Sequence, residues 1–255
     1  MNEFRTYFHI AIPKQVKVCP VPKRPQGFFC AGCTKSEEIF FPPDITYSIS
    51  KIDIMDFMKK FMVGVDEAGR GPLAGPVSVG VVVVEKSFDW STIPGVADSK
   101  ILSERKREEV FVYAQELKKQ GVLDFCVSLV GAPVIDKIGI VYAVNTAINR
   151  SFLKLSLQPY ECFVKLDGGL KAPKEFSQET IIRGDALEKV IGLASILAKV
   201  HRDRYMIKKA NDERFSPYFF EVHKGYGTRK HREAIQQLGL STLHRKTFCR
   251  NCPIS

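Results

Sequence analysis

The chain has 255 residues, 45% of them hydrophobic and 26% charged, which is enough to bury one large core or one core with a small appendage. Its longest nearly apolar run, Val77–Val84, is far shorter than the ~20 residues of a membrane-spanning helix, and the first ten residues hold no apolar secretory block, so a cytoplasmic protein with no membrane partner is expected. The net charge of +10 is uneven: residues 62–198 carry 16 Lys and Arg against 17 Asp and Glu, whereas residues 199–255 carry 13 against 5. A near-neutral middle followed by a basic tail suits a protein that grips a polyanion, although a merely solvated basic tail gives the same count.

Residues 1–55 hold six of the fourteen prolines and no sustained period, and they read as an irregular or disordered extension. Met55, Met58 and Met62 offer alternative starts of translation beyond it. The seven cysteines are odd in number and argue against a disulfide framework. Four of them form Cys30-x-x-Cys33 and Cys249-x-x-Cys252, the paired spacing of a zinc site, but about 215 residues separate the pairs, so ordinary reduced thiols are the preferred reading.

From Phe61 onward strands and helices mix. Phe61–Val65 and Val77–Val84 predict buried valine-rich strands joined by a glycine-rich turn. A helix is expected over Glu104–Lys119, capped by Ser103 and closed by Gly121, then a strand over Phe125–Val130 and a helix from Pro133 to Leu155. Cys162–Leu166 predicts a strand ending at Asp167, and Thr180–Arg183 a short strand ending at Gly184-Asp185. Leu187, Val190, Ile191, Ala194, Leu197 and Ala198 recur at helical spacing and predict one long helix. The expected architecture is α/β, a central mixed five-stranded sheet flanked by helices, with a helical C-terminal region.

The chemistry concentrates in Val63-Gly64-Val65-Asp66-Glu67-Ala68-Gly69-Arg70-Gly71-Pro72, where a strand delivers two carboxylates into a turn holding one arginine. Hard divalent cations take carboxylate oxygens, glycines permit close backbone approach, and an arginine can hold a phosphate. Asp167 and Asp185 also fall at element ends and can converge on the same sheet edge. Neighbouring strand residues point to opposite faces, so Asp66 and Glu67 share a site only if the strand stops at or near Glu67. Each acid has a plainer explanation: Asp185 as a helix cap, Asp167 as a turn residue, Asp66 and Glu67 as solvated loop acids. Lys100 and Lys199 are candidate phosphate contacts, with exposed structural lysines as the competing reading. No metal is assigned to His201, His223, His231 or His244, and Trp90 and Phe248 read as core residues.

The order Asp66-Glu67-Ala68-Gly69-Arg70-Gly71-Pro72-Leu73-Ala74-Gly75-Pro76 closely resembles the first motif of ribonuclease HII, the type 2 ribonuclease H family. Further segments resemble that family in order: Asp98-Ser99-Lys100, Asn145-Thr146, Leu166-Asp167-Gly168, Arg183-Gly184-Asp185, Ala194–Val200 with Arg202-Asp203, His223-Lys224-Gly225-Tyr226-Gly227-Thr228, and His244–Phe248. The resemblance spans residues 62–248 and implies a catalytic domain over 61–248, including a basic substrate-binding region over about 199–248, with 249–255 as a short tail. Ribonuclease HIII is the nearest competitor, but Gly69-Arg70-Gly71 and Tyr226 oppose it.

By that resemblance Asp66, Glu67, Asp167 and Asp185 are catalytic and hold two Mg²⁺ or Mn²⁺ ions, and Gly69, Arg70, Gly71 and Tyr226 contact substrate. The implied activity is hydrolysis of the RNA strand of RNA–DNA hybrids and incision of DNA duplexes at embedded ribonucleotides, 5′ to the ribonucleotide, by a monomer. A non-catalytic nucleic-acid-binding module, built on the basic tail and the cysteine pairs, is the alternative of another class; it requires zinc and survives loss of the acids.

Overall fold

The computed structural model describes residues 59–93, 95–96, 102–250 and 252. Lys100, Cys30, Cys33 and the extension over residues 1–55 lie outside them. Five strands form one sheet: β1 (Phe61–Ala68), β2 (Val77–Glu85), β3 (Leu123–Val130), β4 (Cys162–Asp167) and β5 (Ser177–Ile181), in the order β3-β2-β1-β4-β5. The β1–β2 and β2–β3 pairs are antiparallel, and β1–β4 and β4–β5 are parallel, giving the expected mixed sheet.

Alternation along β1 and β2 sends valines to both faces. Val63, Val65, Val79 and Val81 pack with Ala147, Ile148 and Phe152 on one face, while Val82 and Val84 pack with Leu193, Ile196 and Leu197 on the other. Each fully buried Val or Leu contributes about 1.5–3 kcal/mol, so the two layers together hold the sheet against large chain entropy. The first layer is helix α3 (Ile140–Lys154), preceded by α2 (Ala132–Ile138); the second is α1 (Glu104–Lys119) with the long α5 (Lys189–Ala210). Gly64 and Gly80 let α5 lie directly on the strands: a Cβ there would stand 2.2 Å from the carbonyl oxygens of Val190 and Ala194 respectively. That contact carries the α5 backbone past the end of β1, and with it Ser195, Lys199 and Arg202.

The expected α1 is found with its cap: the Ser103 hydroxyl accepts from the Lys106 amide at 3.3 Å, and Gly121 has φ +73° beyond the end. Three expectations are corrected. The helix expected over Pro133–Leu155 is two helices, because Gly139 adopts φ 80°, ψ 160° between them, a conformation open to glycine and incompatible with helix. The strand expected over Thr180–Arg183 is β5, displaced toward the N-terminus; it pairs Phe163 with Ser177 through Asp167 with Ile181, while Ile182 is exposed and Arg183 turns left-handed at φ 58°. Polar Ser-Gln-Glu-Thr suits an edge strand, which is why apolar content misplaced it. The long helix does not include Leu187: a short turn of helix, α4 (Gly184–Leu187), ends at extended Glu188, and Leu187 is exposed.

Past α5 the chain forms α6 (Phe220–His223) and α7 (Arg229–Leu238), then folds back so that His244 bridges Ala74. Asp136 of α2 fixes this return by accepting from the Lys246 and Thr247 amides at 2.9 and 3.0 Å and from the Thr247 hydroxyl at 2.6 Å. Phe248 packs half-buried against the core, as expected of it, and so does Trp90. No helix among the described residues is long and apolar enough to cross a membrane.

Candidate active site

The sheet brings the predicted acids to one edge. Asp66 and Glu67 lie near the end of β1, and β4, parallel to it, ends at Asp167. Asp167 in turn holds the Arg183–Asp185 turn, its Oδ1 accepting from the Gly184 amide at 2.6 Å, so Asp185 follows directly on that contact and is buried. Asp185 is not a helix cap: the cap position of α4 belongs to Arg183 and that of α5 to Glu188.

Strand β1 stops at Ala68, one residue beyond Glu67, so both acids sit at the strand's end, on its opposite faces. The two side chains are accordingly held differently. Asp66 is buried on the α5 side, where the Ser195 hydroxyl hydrogen-bonds it, and its Oδ1 accepts from the Glu67 amide at 2.7 Å. Glu67 is paired with Arg70 at 2.9 Å. Burial pushes the Asp66 carboxyl up to about 8; the Ser195 bond opposes this, while the charges of Glu67 and Asp167 add to it.

As they stand, no three His, Cys, Asp or Glu side chains among the described residues close on one point as ligands of a single ion do. The donor chemistry nevertheless fits hard divalent cations. Carboxylate oxygens are what Mg²⁺ and Mn²⁺ take, and a carboxyl pushed upward first by burial and then by its neighbours' negative charge is relieved by a cation placed beside it.

Beside the acids lies a cleft of about 420 Å³ bordered by Glu67, the Gly69–Gly71 turn, Arg107, Ser195, Lys199 and Tyr226. Five of the predicted substrate contacts, Gly69, Arg70, Gly71, Lys199 and Tyr226, therefore share one opening. Lys199 also binds Asp203 at 2.9 Å and stands over the Tyr226 ring, 5.5 Å from its centroid. The turn itself requires glycine at 69, where φ is +86° and a Cβ would meet Arg202 Nε at 1.9 Å.

Sequence reasoning assigned no role to the residues that hold this turn. Arg202 and Arg245 are fully buried guanidinium groups. Arg245 donates to Gly69 O at 2.7 Å, Arg70 O at 3.0 Å and Gly75 O at 2.9 Å; Arg202 donates to Pro76 O at 2.9 Å and Ala74 O at 3.2 Å. Burial lowers both pKa values, that of Arg245 to about 9, and each remains a cation at neutral pH. Neither an arginine within a helix, as Arg202 is, nor one in a loop, as Arg245 is, carries a local sequence signal of burial, so only the motif segments containing them marked them at all.

His223, His231 and His244 form a second buried group, with His231 and His244 joined Nε2 to Nε2 at 3.1 Å. Burial pushes these two down to about 4, so they are neutral. Cys249 and Cys252 are buried side by side, and burial with the neighbouring Cys252 thiol raises Cys249 to about 12.

Comparison with known proteins matches this arrangement to one family. The family profile described as Ribonuclease HII matches residues 63–251. A ribonuclease HII of Endomicrobium trichonymphae is 47% identical over 188 residues, covering 73% of this chain and 84% of that protein. Among solved structures, the ribonuclease H2 of Pyrococcus horikoshii OT3 is similar with a TM-score of 0.55 at 27% identity, over 76% of this chain and 97% of that one. A Bst-RNase HIII crystallised with Mn²⁺ shares the fold, with a TM-score of 0.54 at 16% identity over 75% of this chain and 68% of that one.

Proposed function

The chain belongs to the ribonuclease HII family and is a ribonuclease H, and from that premise we propose that it hydrolyses the RNA strand of RNA–DNA hybrids and also incises DNA duplexes at a single embedded ribonucleotide. Cleavage falls 5′ to the ribonucleotide and leaves 3′-hydroxyl and 5′-phosphate ends. The observation that carries this reading is the cleft that puts the Gly69–Gly71 turn, Tyr226 and Lys199 against the acid edge of the sheet. A site for cutting must reach a phosphate and a sugar together, and here Glu67 of the acid edge, Ser195 that bonds Asp66, and the sugar-reading groups border the same opening.

Asp66, Glu67, Asp167 and Asp185 are the residues proposed to hold divalent ions, Mg²⁺ or Mn²⁺. Bound there, two such ions supply an activated water and charge stabilisation of the leaving 3′ oxygen. Ser195 orients Asp66 by hydrogen bonding, and Arg70 steadies Glu67 while leaving its own guanidinium nearly half exposed to the cleft. Backbone groups of Gly69, Arg70 and Gly71 approach the ribose 2′-hydroxyl, the one donor and acceptor that distinguishes RNA from DNA there. The Tyr226 ring packs on the neighbouring deoxyribose, and its hydroxyl is free to hydrogen-bond. Lys199, set over that ring, meets a backbone phosphate. The basic residues after 199 supply sequence-independent affinity.

The test is a cleavage assay on a DNA duplex with one ribonucleotide and on a continuous RNA–DNA hybrid, with and without Mg²⁺ or Mn²⁺. Metal-dependent products with 3′-hydroxyl ends at the 5′ side of the ribonucleotide are expected. Cutting of the hybrid alone refutes the embedded-ribonucleotide reading.

A further inference from the structure

Two elements that border the cleft, the Gly69–Gly71 turn and Tyr226, are tied to one dipeptide in the C-terminal segment, His244-Arg245. Arg245 takes the carbonyls of Gly69, Arg70 and Gly75, and its own amide donates to Leu73 O at 2.8 Å. A trans peptide sets C=O and N–H on opposite sides of its plane. Drawing the Gly69 and Arg70 carbonyls inward therefore turns the Arg70 and Gly71 amides away from Arg245, outward from the turn.

His244, the preceding residue, reaches Tyr226 through a second histidine. Its Nδ1 accepts from the Ser241 amide at 2.9 Å, so the neutral ring carries its proton on Nε2. His231 Nδ1 faces Tyr226 O at 2.9 Å, and because a carbonyl only accepts, that nitrogen is the protonated one. The 3.1 Å contact between the two Nε2 atoms is then a hydrogen bond from His244 to His231, and every polar atom in the chain Ser241–His244–His231–Tyr226 has one determined role. The turn and the tyrosine segment are also joined directly, by Gly225 O accepting from the Leu73 and Ala74 amides at 2.9 and 3.2 Å.

We propose that His244 and Arg245 are the positioning residues for recognition of the ribonucleotide: together they fix the gap and relative orientation between the Gly-Arg-Gly turn and Tyr226. This rests on the reading of those two elements as the groups that recognise the RNA–DNA junction. Neither side chain meets substrate, since both are buried. Their effect is on geometry, and a misplacement of about 1 Å at reacting groups can cost about a hundredfold in rate. A junction offers one register in which turn and tyrosine must both fit, whereas a continuous hybrid offers many, so a wrong gap penalises the junction more.

The experiment uses the full chain with Mg²⁺ and compares kcat and KM on a DNA duplex with one ribonucleotide and on a continuous hybrid. His244→Gln can reproduce both bonds of the imidazole, an oxygen for Ser241 and an N–H for His231; His244→Leu can make neither. Arg245→Lys keeps the charge and loses the fork that reaches three carbonyls. His244→Leu and Arg245→Lys are expected to lower kcat on the single ribonucleotide about tenfold more than on the hybrid, with KM little changed, and His244→Gln to restore most of that loss. Because His244 acts through Tyr226, His244→Leu should cost no further discrimination in a Tyr226→Ala background. If Tyr226→Ala shifts the ratio between substrates but His244→Leu and Arg245→Lys lower both equally, the positioning proposal is overturned and the Tyr226 reading stands. If Tyr226→Ala leaves the ratio unchanged, both fall. Should His244→Leu fail to fold, Arg245→Lys and His244→Gln decide by the same ratio.

Discussion

The acid edge of the sheet and the glycine-rich turn are adjacent in sequence but held in opposite ways. At the edge, Asp66 is buried beside the negative charges of Glu67 and Asp167, opposed by the Ser195 bond and one amide, and its carboxyl is pushed up to about 8. At the turn, five carbonyl oxygens are taken by two buried guanidinium groups, so its shape is fixed before any ligand arrives. The edge is arranged to gain from a cation; the turn is arranged to lose nothing on binding. Function and stability should therefore respond in opposite directions to substitutions at the edge and together to substitutions at the turn.

Asp66→Asn gives the largest effect. The amide keeps the shape and loses the charge that binds a cation, so turnover should fall about a hundredfold or more, the equivalent of several kcal/mol of transition-state stabilisation. The same change removes a buried charge, so the metal-free protein should melt at a higher temperature at pH 8 than the unsubstituted chain. Paired measurements of cleavage rate and thermal melting in EDTA check both halves. Near-normal turnover would remove Asp66 from the proposed ligands.

Gly69→Ala should show the contrary behaviour. A left-handed φ and a Cβ 1.9 Å from Arg202 Nε force the guanidinium to move, costing about 2–4 kcal/mol of stability together with activity on both substrates. Gly71→Ala is the internal control: nothing stands within 4 Å of its added Cβ, so denaturant titration should show little loss. Equal destabilisation by both substitutions would mean that Arg202 does not brace the turn.

The same contrast marks what the sequence made legible. Short apolar runs, valine-rich in three cases, located four of the five strands to within a few residues, and Ser103 and Gly121 located α1 at both ends, because cap chemistry and an apolar run are local. Acids at strand ends were legible for the same reason. The clamp on the turn was not, since Arg202 and Arg245 lie more than 120 residues along the chain from the carbonyls they hold, and nothing local distinguishes a buried arginine from a solvated one. The histidines received no role from the sequence; the partners of His231 and His244 are each other, the Tyr226 carbonyl and the Ser241 amide. Edge strand β5 and the break at Gly139 failed in a third way, by tertiary pairing and a glycine conformation overriding apolar pattern.

Acidity separates the two regions again. Asp66 has a folded pKa raised from 3.8 to about 8, so its contribution to stability is fully present below about 4 and is lost as pH rises toward 8. His231 and His244 are lowered from 6.5 to about 4, so their contribution is present above 6.5 and is lost as pH falls toward 4. Melting temperatures of metal-free protein across this range should thus decline at both ends, with Asp66→Asn removing the decline between about 6.5 and 8 and steepening the acid limb below 6.5, where the two contributions oppose each other. Added Mg²⁺ should do likewise without the substitution, by stabilising the ionised carboxylate. An alkaline decline unchanged by either treatment would place its origin elsewhere.

The smallest effect concerns basic side chains of the tail outside the clamp, and it separates them from the buried arginines. Arg229 is almost fully exposed and lies at the start of α7, followed by Lys230, whose ammonium stands 3.8 Å from the Phe219 ring centroid; Lys224, two residues before Tyr226, is largely covered, with its ammonium donating to Glu221 O and 3.9 Å from Glu104. If these side chains neutralise phosphates, log affinity falls with log salt at about −0.9 per contact on B-form DNA. Charge reversal at Lys224, Arg229 and Lys230 should then flatten that slope, measured by anisotropy over a KCl series on a metal-free duplex. Arg245→Lys should leave the slope unchanged, because Arg245 is engaged with backbone carbonyls and has no phosphate to release ions from. A slope insensitive to the three reversals would locate the grip outside this face, and a slope altered by Arg245→Lys would show that the buried clamp also shapes the phosphate-binding surface.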